Sequence, residues 1–315
     1  MNKVLLTPVF NDSQNALELI TQVVSYYPQV FGEIVLVDDG SDSSLYDFFL
    51  EKSATFSNQK ITVIRLDSNL GHQRAIAIGL CFIKDNFSSS NVVVLDSDGE
   101  DGPHQIQFML DVFAPDSNVV ATRSKRQESF LFRQGYWCFK YLFYLMTGSR
   151  LNFGNFSLIN HRTVNNLVKN ASLWNNYPAT LLRFIPNLNR VGLPRQKRFS
   201  GKSSMNLVSF IQHGLGAISV FLDKVLIRTL LALFFIFLFL SFILVIGFGL
   251  YFDSFINFTL LYIGFASLVL LILLNISLLA LFSLIIFLAN RSTKQEPPIF
   301  YYKSFISYVK ILGKN

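Results

Sequence analysis

The sequence predicts an α/β domain on a mostly parallel sheet, followed by a C-terminal two-helix transmembrane hairpin. Three observations carry this. Strand-type and helix-type runs alternate up to Arg123, as in parallel sheets covered by helices. Two segments, Thr229 to Phe252 and Ser254 to Asn290, contain no charged residue, and each exceeds the roughly 20 apolar residues that cross a hydrocarbon core. The chain is 51% hydrophobic and only 15% charged, too apolar for an ordinary soluble globule.

In chain order, "KVLLTPV" predicts a first strand and Ser13 to Tyr26 a helix. "EIVLV" precedes a helix over Ser43 to Phe56, "KITVIRL" one over Gly71 to Asn86, and "NVVVLD" one over Pro103 to Phe113, before a fifth strand, "NVVATR". Short apolar runs bounded by turn residues have the length of buried strands, and the longer segments between them suit covering helices. Ligands of such sheets bind at the carboxyl ends of the strands. After Arg123 the alternation stops, and Phe130 to Met146 is a dense aromatic stretch containing Arg133 and Lys140, expected as a core or interfacial helix.

Lys224 and Arg228 precede the first uncharged segment and Arg291 and Lys294 follow the second, while Asp253 alone marks the connection. The excess of basic residues on the outer flanks predicts a multi-pass protein with both ends cytoplasmic. The N-terminal apolar run is broken by Pro8 and is too short for a signal peptide. Cys81 and Cys138, far apart in sequence, suggest free thiols in a reducing compartment.

The net charge of +7 conceals a division: residues 1–120 carry 16 acidic and 6 basic side chains, residues 121–228 carry 2 and 16. The first half suits cations, the second anions or an anionic membrane surface. No nucleic-acid motif accompanies the basic half, and no nucleic-acid partner is expected.

"VLVDDGSD" places Asp38 and Asp39 at the end of the second strand, and "LDSDGED" places Asp96, Asp98, Glu100 and Asp101 at the end of the fourth. In a parallel sheet these ends share one rim. Asp96 and Asp98, with Glu100 available as a third ligand, offer hard oxygens for Mg²⁺ or Mn²⁺, although D-x-D alone is more usually a solvated turn. "NLGHQRA" opens a helix with His72 and Gln73 in its first turn, where backbone N–H groups face the rim; a capping or surface role for His72 stays open. Arg123 and Arg126 follow the fifth strand. Arg195, Lys197, Arg198 and Lys202 form a basic run expected beside the membrane, near an acceptor phosphate, because guanidinium forks match phosphate oxygens.

"PVFND", "VDDGSD", "NLGHQRA", "LDSDGED", "RSKR", "GNFSLI" and the basic G-K-S segment, in this order and followed by a membrane hairpin, resemble family 2 glycosyltransferases of the polyprenyl-phosphate type, such as bactoprenol glucosyltransferases and dolichol-phosphate mannose synthases. The resemblance covers residues 3 to 290. It implies a Rossmann-like GT-A domain for nucleotide sugars over residues 1–205, an amphipathic juxtamembrane segment over 206–228, the hairpin over 229–290 and a basic cytoplasmic tail over 291–315. It also implies a UDP- or GDP-sugar donor, Mg²⁺ or Mn²⁺, and a polyprenyl phosphate acceptor in the bilayer. Pro8, Asp12, Asp38 and Asp39 would line the nucleoside pocket, Asp96, Asp98 and Glu100 would hold the metal, Arg123 and Arg126 would sit near the phosphates, and Lys202 would join the donor site. Phe10 stands where relatives often carry Tyr. Asn155 stands where bactoprenol-type members tend to have Asp, which removes a general base from that position.

The expected reaction is inverting transfer of a hexose to polyprenyl phosphate, making a lipid-linked sugar for glycan or cell-envelope polysaccharide, with Asp98, Arg123, Arg126 and Asn155 at the reacting centre. Transfer to another lipid or lipid-linked glycan is the nearest rival. An aspartyl phosphatase is disfavoured because its D-x-D-G normally follows a first strand, and a non-catalytic scaffold because the acid clusters are intact. Homo-oligomer formation is left open.

Overall fold

The computed structural model describes residues 3–56, 58–123, 130–201, 207–251, 257–293 and 296–313. The expected alternation is present as β1 (Lys3–Val9), α1 (Ser13–Tyr26), β2 (Phe31–Asp38), α2 (Leu45–Leu50), β3 (Ile61–Leu66), α3 (His72–Asn86), β4 (Asn91–Val94), α4 (Ile106–Val112) and β5 (Asn118–Arg123). It is followed by α5 (Phe130–Thr147), β6 (Phe153–Ile159), α6 (His161–Leu167), α7 (Tyr177–Phe184), β7 (Leu188–Leu193), α8 (Leu207–Ser219), α9 (Leu222–Tyr251), α10 (Asn257–Thr293) and β8 (Ile306–Leu312). Two expected helices are shorter. Ser44 caps α2 by accepting from the Asp47 N–H at 3.1 Å, and a separate 3₁₀ turn covers Ser53–Phe56. Pro103 opens a 3₁₀ turn ahead of α4, since its fixed φ suits a first helical position.

Among the described residues, eight strands form one sheet in the order β7-β5-β6-β4-β1-β2-β3-β8. The central strands β4, β1, β2 and β3 are parallel. Leu5 packs in one buried cluster with Leu19 and Ile34, while its neighbour Leu6 packs in the other with Ile76 and Val37. Successive side chains point to opposite faces, and both faces are covered, which is why these strands read as continuous apolar runs. Each such side chain contributes about 1.5–3 kcal/mol of burial. From β1 the chain builds outward through β2 and β3, then returns to lay β4 on the other side of β1, so the crevice at the ends of β1 and β4 is the topological switch point.

The antiparallel strands were not visible in the alternation. β6 inserts between β4 and β5, and β8 pairs antiparallel with β3 from Ile61↔Leu312 to Leu66↔Ile306. The expected tail over 291–315 is therefore corrected: its distal part belongs to the sheet. An uncovered β3 would be an open edge, and β8 closes it. Tyr302 is 1% exposed and donates its hydroxyl hydrogen to Asp85 Oδ2 at 2.8 Å. Trp174 donates to the Glu296 carbonyl at 3.0 Å and meets the rings of Tyr301 and Phe305.

The long helices α9 and α10 thus leave from and return to one body. At their base Phe143, Phe221, Val225 and Leu288 form a third buried cluster; Arg183 pairs with Asp223 at 3.0 Å, and Arg228 donates to the Leu145 carbonyl at 3.1 Å. The helices have 30 and 37 residues, or about 45 and 55 Å at 1.5 Å per residue. Among the described residues one stretch, Leu270–Asn290 with mean hydropathy 2.8, is long and apolar enough to cross a membrane, and within it Leu288 is buried at the helix base. The expected first crossing, Thr229 to Phe252, falls on α9 as far as Tyr251; among the described residues no second such stretch accompanies that of α10, and Phe252 and Asp253, the expected turn, lie outside the described residues.

Removing a buried aromatic costs about 3–5 kcal/mol. Tyr302→Ala should accordingly lower the melting temperature of the detergent-solubilised protein by about 10 °C, and Tyr302→Phe by much less. An unchanged melting temperature for Tyr302→Ala would mean that the C-terminal segment does not pack on the sheet.

Candidate functional site

The carboxyl ends of β1, β2 and β4 open into a cavity of about 990 Å³ whose lining includes Pro8, Phe10, Asp12, Asp39, His72, Asp96, Asp98, Glu100, Asn155, Arg195 and Arg198. Its far wall is made by α5 and α8, which contribute Phe139, Lys140, Phe210 and His213. α8 approaches closely because Gly216 has no Cβ, which would lie 2.9 Å from the Asn175 carbonyl oxygen.

Asn11, in the left-handed region at φ 48°, turns the chain out of β1. Its backbone N–H donates to Ser41 Oγ at 3.0 Å, its side-chain Oδ1 accepts from the Asp42 N–H at 2.8 Å and its side-chain Nδ2 donates to Asp42 Oδ2 at 3.0 Å, which stitches the ends of β1 and β2. Asp12 then accepts from Asn15 at 2.7 Å and Ser97 at 3.3 Å.

The two aspartates ending β2 differ. Asp38 is fully buried, accepts from the Ser41 N–H at 3.0 Å and pairs with Arg65 at 2.6 Å; it braces the turn and does not reach the cavity, contrary to the expected pocket role. Asp39 does reach it, and accepts from the Leu70 and Gly71 N–H groups at 2.8 and 3.0 Å. Burial nevertheless pushes the Asp39 carboxyl up from 3.8 to about 6.

At the end of β4, Asp96 lies 3.0 Å from His72 Nε2 and accepts from Asn155 Nδ2 at 3.1 Å. Desolvation opposes charge on His72, but the Asp96 carboxylate holds its pKa above the ordinary value. Asn155 is itself held by Gln73, whose amide donates to it at 3.1 Å and whose carbonyl accepts from the Tyr177 N–H at 2.7 Å. A carboxylate in place of Asn155 would face Asp96 across the same gap as a like charge.

The remaining acids are matched by arginines from the loop after β7. Arg198 reaches Asp12 at 3.0 Å and Asp98 at 3.4 Å, and Arg195 pairs with Glu100. The Gln196 N–H donates to the Glu100 carbonyl at 2.8 Å and the Phe199 N–H to the Asp98 carbonyl at 3.1 Å. The contact requires Gly99, at φ +78°, because a Cβ there would lie 2.4 Å from the Phe199 ring. Arg195 and Arg198, expected beside the membrane, therefore pair with the acidic rim. Despite Arg198, burial and then the charges of Asp96 and Glu100 push Asp98 up to about 6.

Asp12, Asp96, Asp98 and Glu100 supply only carboxylate oxygens, the chemistry of a hard divalent cation. Among the described residues, however, no group of three His, Cys, Asp or Glu side chains is gathered closely enough to hold a metal ion; the expected Asp96, Asp98 and Glu100 set shares the rim but is occupied by His72, Arg198 and Arg195. Arg123 ends β5. Arg126 and Lys202 lie outside the described residues. Sequence reasoning missed the ion pairs of the basic loop with the acidic turn, although the opposed charge of the two halves was their signal.

A family model described as Glycosyl transferase family 2 matches residues 4–171, over half of the chain, and the chain belongs to that family. An undecaprenyl-phosphate 4-deoxy-4-formamido-L-arabinose transferase from Sodalis glossinidius is 33% identical over 130 residues, covering 40% of this chain and 38% of the relative. The chain thus spans well under two thirds of that relative. An uncharacterized glycosyltransferase of Bacillus subtilis, YkoT, is 28% identical over 237 residues, 69% of this chain and 67% of the relative. Glucosyl-3-phosphoglycerate synthase from Mycobacterium tuberculosis, solved with Mn²⁺, uridine-diphosphate-glucose and phosphoglyceric acid, superposes with a TM-score of 0.50 at 13% identity, covering 71% of this chain and 79% of that one. The likeness extends to the GT-A-like α/β fold.

The raised Asp39 pKa makes a pH prediction. Because the folded value, about 6, exceeds the ordinary 3.8, the native state binds the proton more tightly than the unfolded chain. The stability contributed by this group is full below about 3.8 and is lost as pH rises through about 6. Melting temperature should decline between pH 4.5 and 7, and Asp39→Asn should flatten part of the decline, Asp98 supplying the rest. Identical slopes for variant and wild type would contradict the assignment.

Proposed function

We propose, from membership of glycosyl transferase family 2, that the chain transfers a sugar from a nucleotide-diphosphate sugar to a polyprenyl phosphate at a membrane surface. The observation that carries this is the continuous cavity: one end is the rim of acids and arginines, the other a wall of α5 and α8. On the outer side of that wall Trp137 is 63% exposed, stacked on Tyr141, with Val208 and Ile211 also exposed. Such aromatic and aliphatic faces suit the headgroup boundary of a bilayer. The relatives from Sodalis glossinidius and Proteus mirabilis are undecaprenyl-phosphate transferases by name, which favours a polyprenyl acceptor.

In this reading Pro8, Asp12 and Asp39 face the nucleoside. Asp96, Asp98 and Glu100, which pair here with His72, Arg198 and Arg195, are the residues that would hold Mg²⁺ or Mn²⁺, and a bound cation would supply charge to the departing diphosphate. Arg123, Arg126 and Lys202 serve the phosphates. The acceptor phosphate oxygen attacks the anomeric carbon from the opposite face to the leaving group, with inversion. A phosphate monoester has its second pKa near about 6, so this nucleophile arrives ionised at neutral pH. Asn155 and His72 then orient rather than abstract a proton.

Because β8 belongs to the same sheet as β1 to β4, two crossings by α9 and α10 are the reading consistent with both ends lying on one side. The cytoplasm is the side favoured by the flanking basic residues.

Detergent-solubilised protein incubated with a panel of UDP- and GDP-sugars and polyprenyl phosphate should yield a sugar-lipid of the corresponding mass. No product from any pair would sink the proposal. Asp98→Asn should cut turnover by about 100-fold, the scale of losing one electrostatic stabiliser, and near-normal turnover at limiting Mn²⁺ would contradict its role. Asn155→Ala should lower turnover by roughly tenfold through lost positioning while keeping the acid limb of the pH profile, which belongs to the acceptor. Disappearance of that limb would place a base at this position.

A further inference from the structure

We infer that Gln73 is a positioning residue: tied to a backbone N–H of α7, it fixes which end of the Asn155 amide faces the reacting centre, and so makes that position a hydrogen-bond donor toward an incoming anion. The inference rests on the reading that a sugar is transferred to a phosphate.

A carboxamide turned end for end keeps its shape, so its polarity has to be imposed by its partners. Here the imposition starts at Tyr177, the first residue of α7, whose backbone N–H has no partner within its own helix and can only donate. Gln73 Oε1 accepts from it at 2.7 Å. That leaves Gln73 Nε2 to donate to Asn155 Oδ1, at 3.1 Å. Asn155 then turns Nδ2 to the centre, where it lies 3.1 Å from Asp96 Oδ1 and 2.8 Å from His72 Nε2. Reversing Gln73 would set donor against donor at Tyr177, and reversing Asn155 would set its oxygen against the Asp96 carboxylate.

The reference point is itself fixed. Tyr177 is fully buried, and the preceding Asn176 caps α7 by accepting from the Ala179 N–H at 2.9 Å. The Tyr177 hydroxyl lies 2.6 Å from Ser157 Oγ, and Ser157 donates to the Asn155 backbone carbonyl at 2.9 Å. A serine has one hydroxyl hydrogen, so the tyrosine is the donor of the first bond. Tyr177 thus holds Asn155 twice, its side chain through Gln73 and its main chain through Ser157. Gln73 and Asn155 are each 9% exposed, so neither amide can trade its partner for bulk water without cost. An acceptor phosphate that reaches the Asp96 side of the cavity therefore meets the N–H end of Asn155, which attracts it, and not the carbonyl oxygen, which would repel it.

The test uses the full chain in detergent, with the nucleotide sugar and polyprenyl phosphate that the wild type turns over. Gln73→Met removes the bond to Asn155 and should lower turnover roughly tenfold with the donor KM unchanged. In the Asn155→Ala background it should cost less than about twofold more, because the two residues act as one unit. Gln73→Glu can still accept from Tyr177 but, when ionised, cannot donate to Asn155. It should be worse than Gln73→Met at about pH 8 and recover relative to wild type toward about pH 6, where a protonated carboxyl donates as the amide does. The ratio of Gln73→Met to wild type should stay level over the same range. Losses that multiply with Asn155→Ala, or a Gln73→Glu ratio that does not rise toward pH 6, overturn the inference, and the second comparison decides if Gln73→Met does not fold. If the wild type makes no product, the transfer reading fails instead, and melting temperature judges the amide pairing: losses of Gln73→Met and Asn155→Ala that add in full in the double variant overturn it, and a shortfall upholds it.

Discussion

Negative charge gathered at a half-buried rim has to be compensated, and much of this structure follows from how that is done. Asp12, Asp96, Asp98 and Glu100 are brought together by the ends of β1 and β4 on either side of the switch point. Left alone, such a cluster would take up protons or resist burial. Its partners come from far along the chain, His72 from the start of α3 and Arg195 and Arg198 from the loop after β7. That loop reaches the rim because β7 lies beside β5, and it stays there because its backbone hydrogen-bonds to the acidic turn at Gly99. The segregation of acids and bases along the sequence is thus undone in three dimensions.

The same sheet that supports the rim also binds the long helices. β8 caps the β3 edge, Tyr302 and Trp174 lock the returning segment, and the bases of α9 and α10 pack against α5 and α8. α5 and α8 therefore have two neighbours, the site on one side and the helix base on the other. On the proposed reading, this is how one cavity serves a soluble donor and an acceptor held in lipid. An acceptor phosphate need not leave the headgroup level if the wall nearest the bilayer is also the wall of the site.

Sequence alone disclosed the parallel half of the sheet, because each of those strands is buried on both faces and reads as an unbroken apolar run between turn residues. The antiparallel additions were hidden. β6 is legible only as part of the motif "GNFSLI", and "ISYVKIL" of β8 is short, half-exposed and preceded by a basic helix end, so its charge suggests a tail. Asp39 and Asp96 were legible as rim residues because they follow the ends of β2 and β4; Asn155, near the start of β6, stood out only through the resemblance carried by "GNFSLI". Asp38 was not distinguishable from its neighbour, since which of two adjacent aspartates turns inward depends on Arg65, whose partner cannot be read from spacing. The ion pairs of the basic loop were hidden for a related reason: their acids lie 95 and 100 residues away in sequence.

Asn155 shows how tightly the charges constrain one another. It contacts Asp96, His72 and Gln73 at once, and only a side chain with both a donor and an acceptor can serve Asp96 and the Gln73 amide together. Aspartate could accept from Gln73 but would lose the bond to Asp96 and add a like charge about 3 Å from it. For an alcohol acceptor that would forfeit a base. For an acceptor that is already a phosphate dianion, a neutral amide is the better neighbour, because a further carboxylate would repel the nucleophile it was meant to help. On the proposed reading, a site with five acids on its donor side can approach a dianion only if the residue between them carries no charge, and Asn155 is the uncharged residue that contacts Asp96.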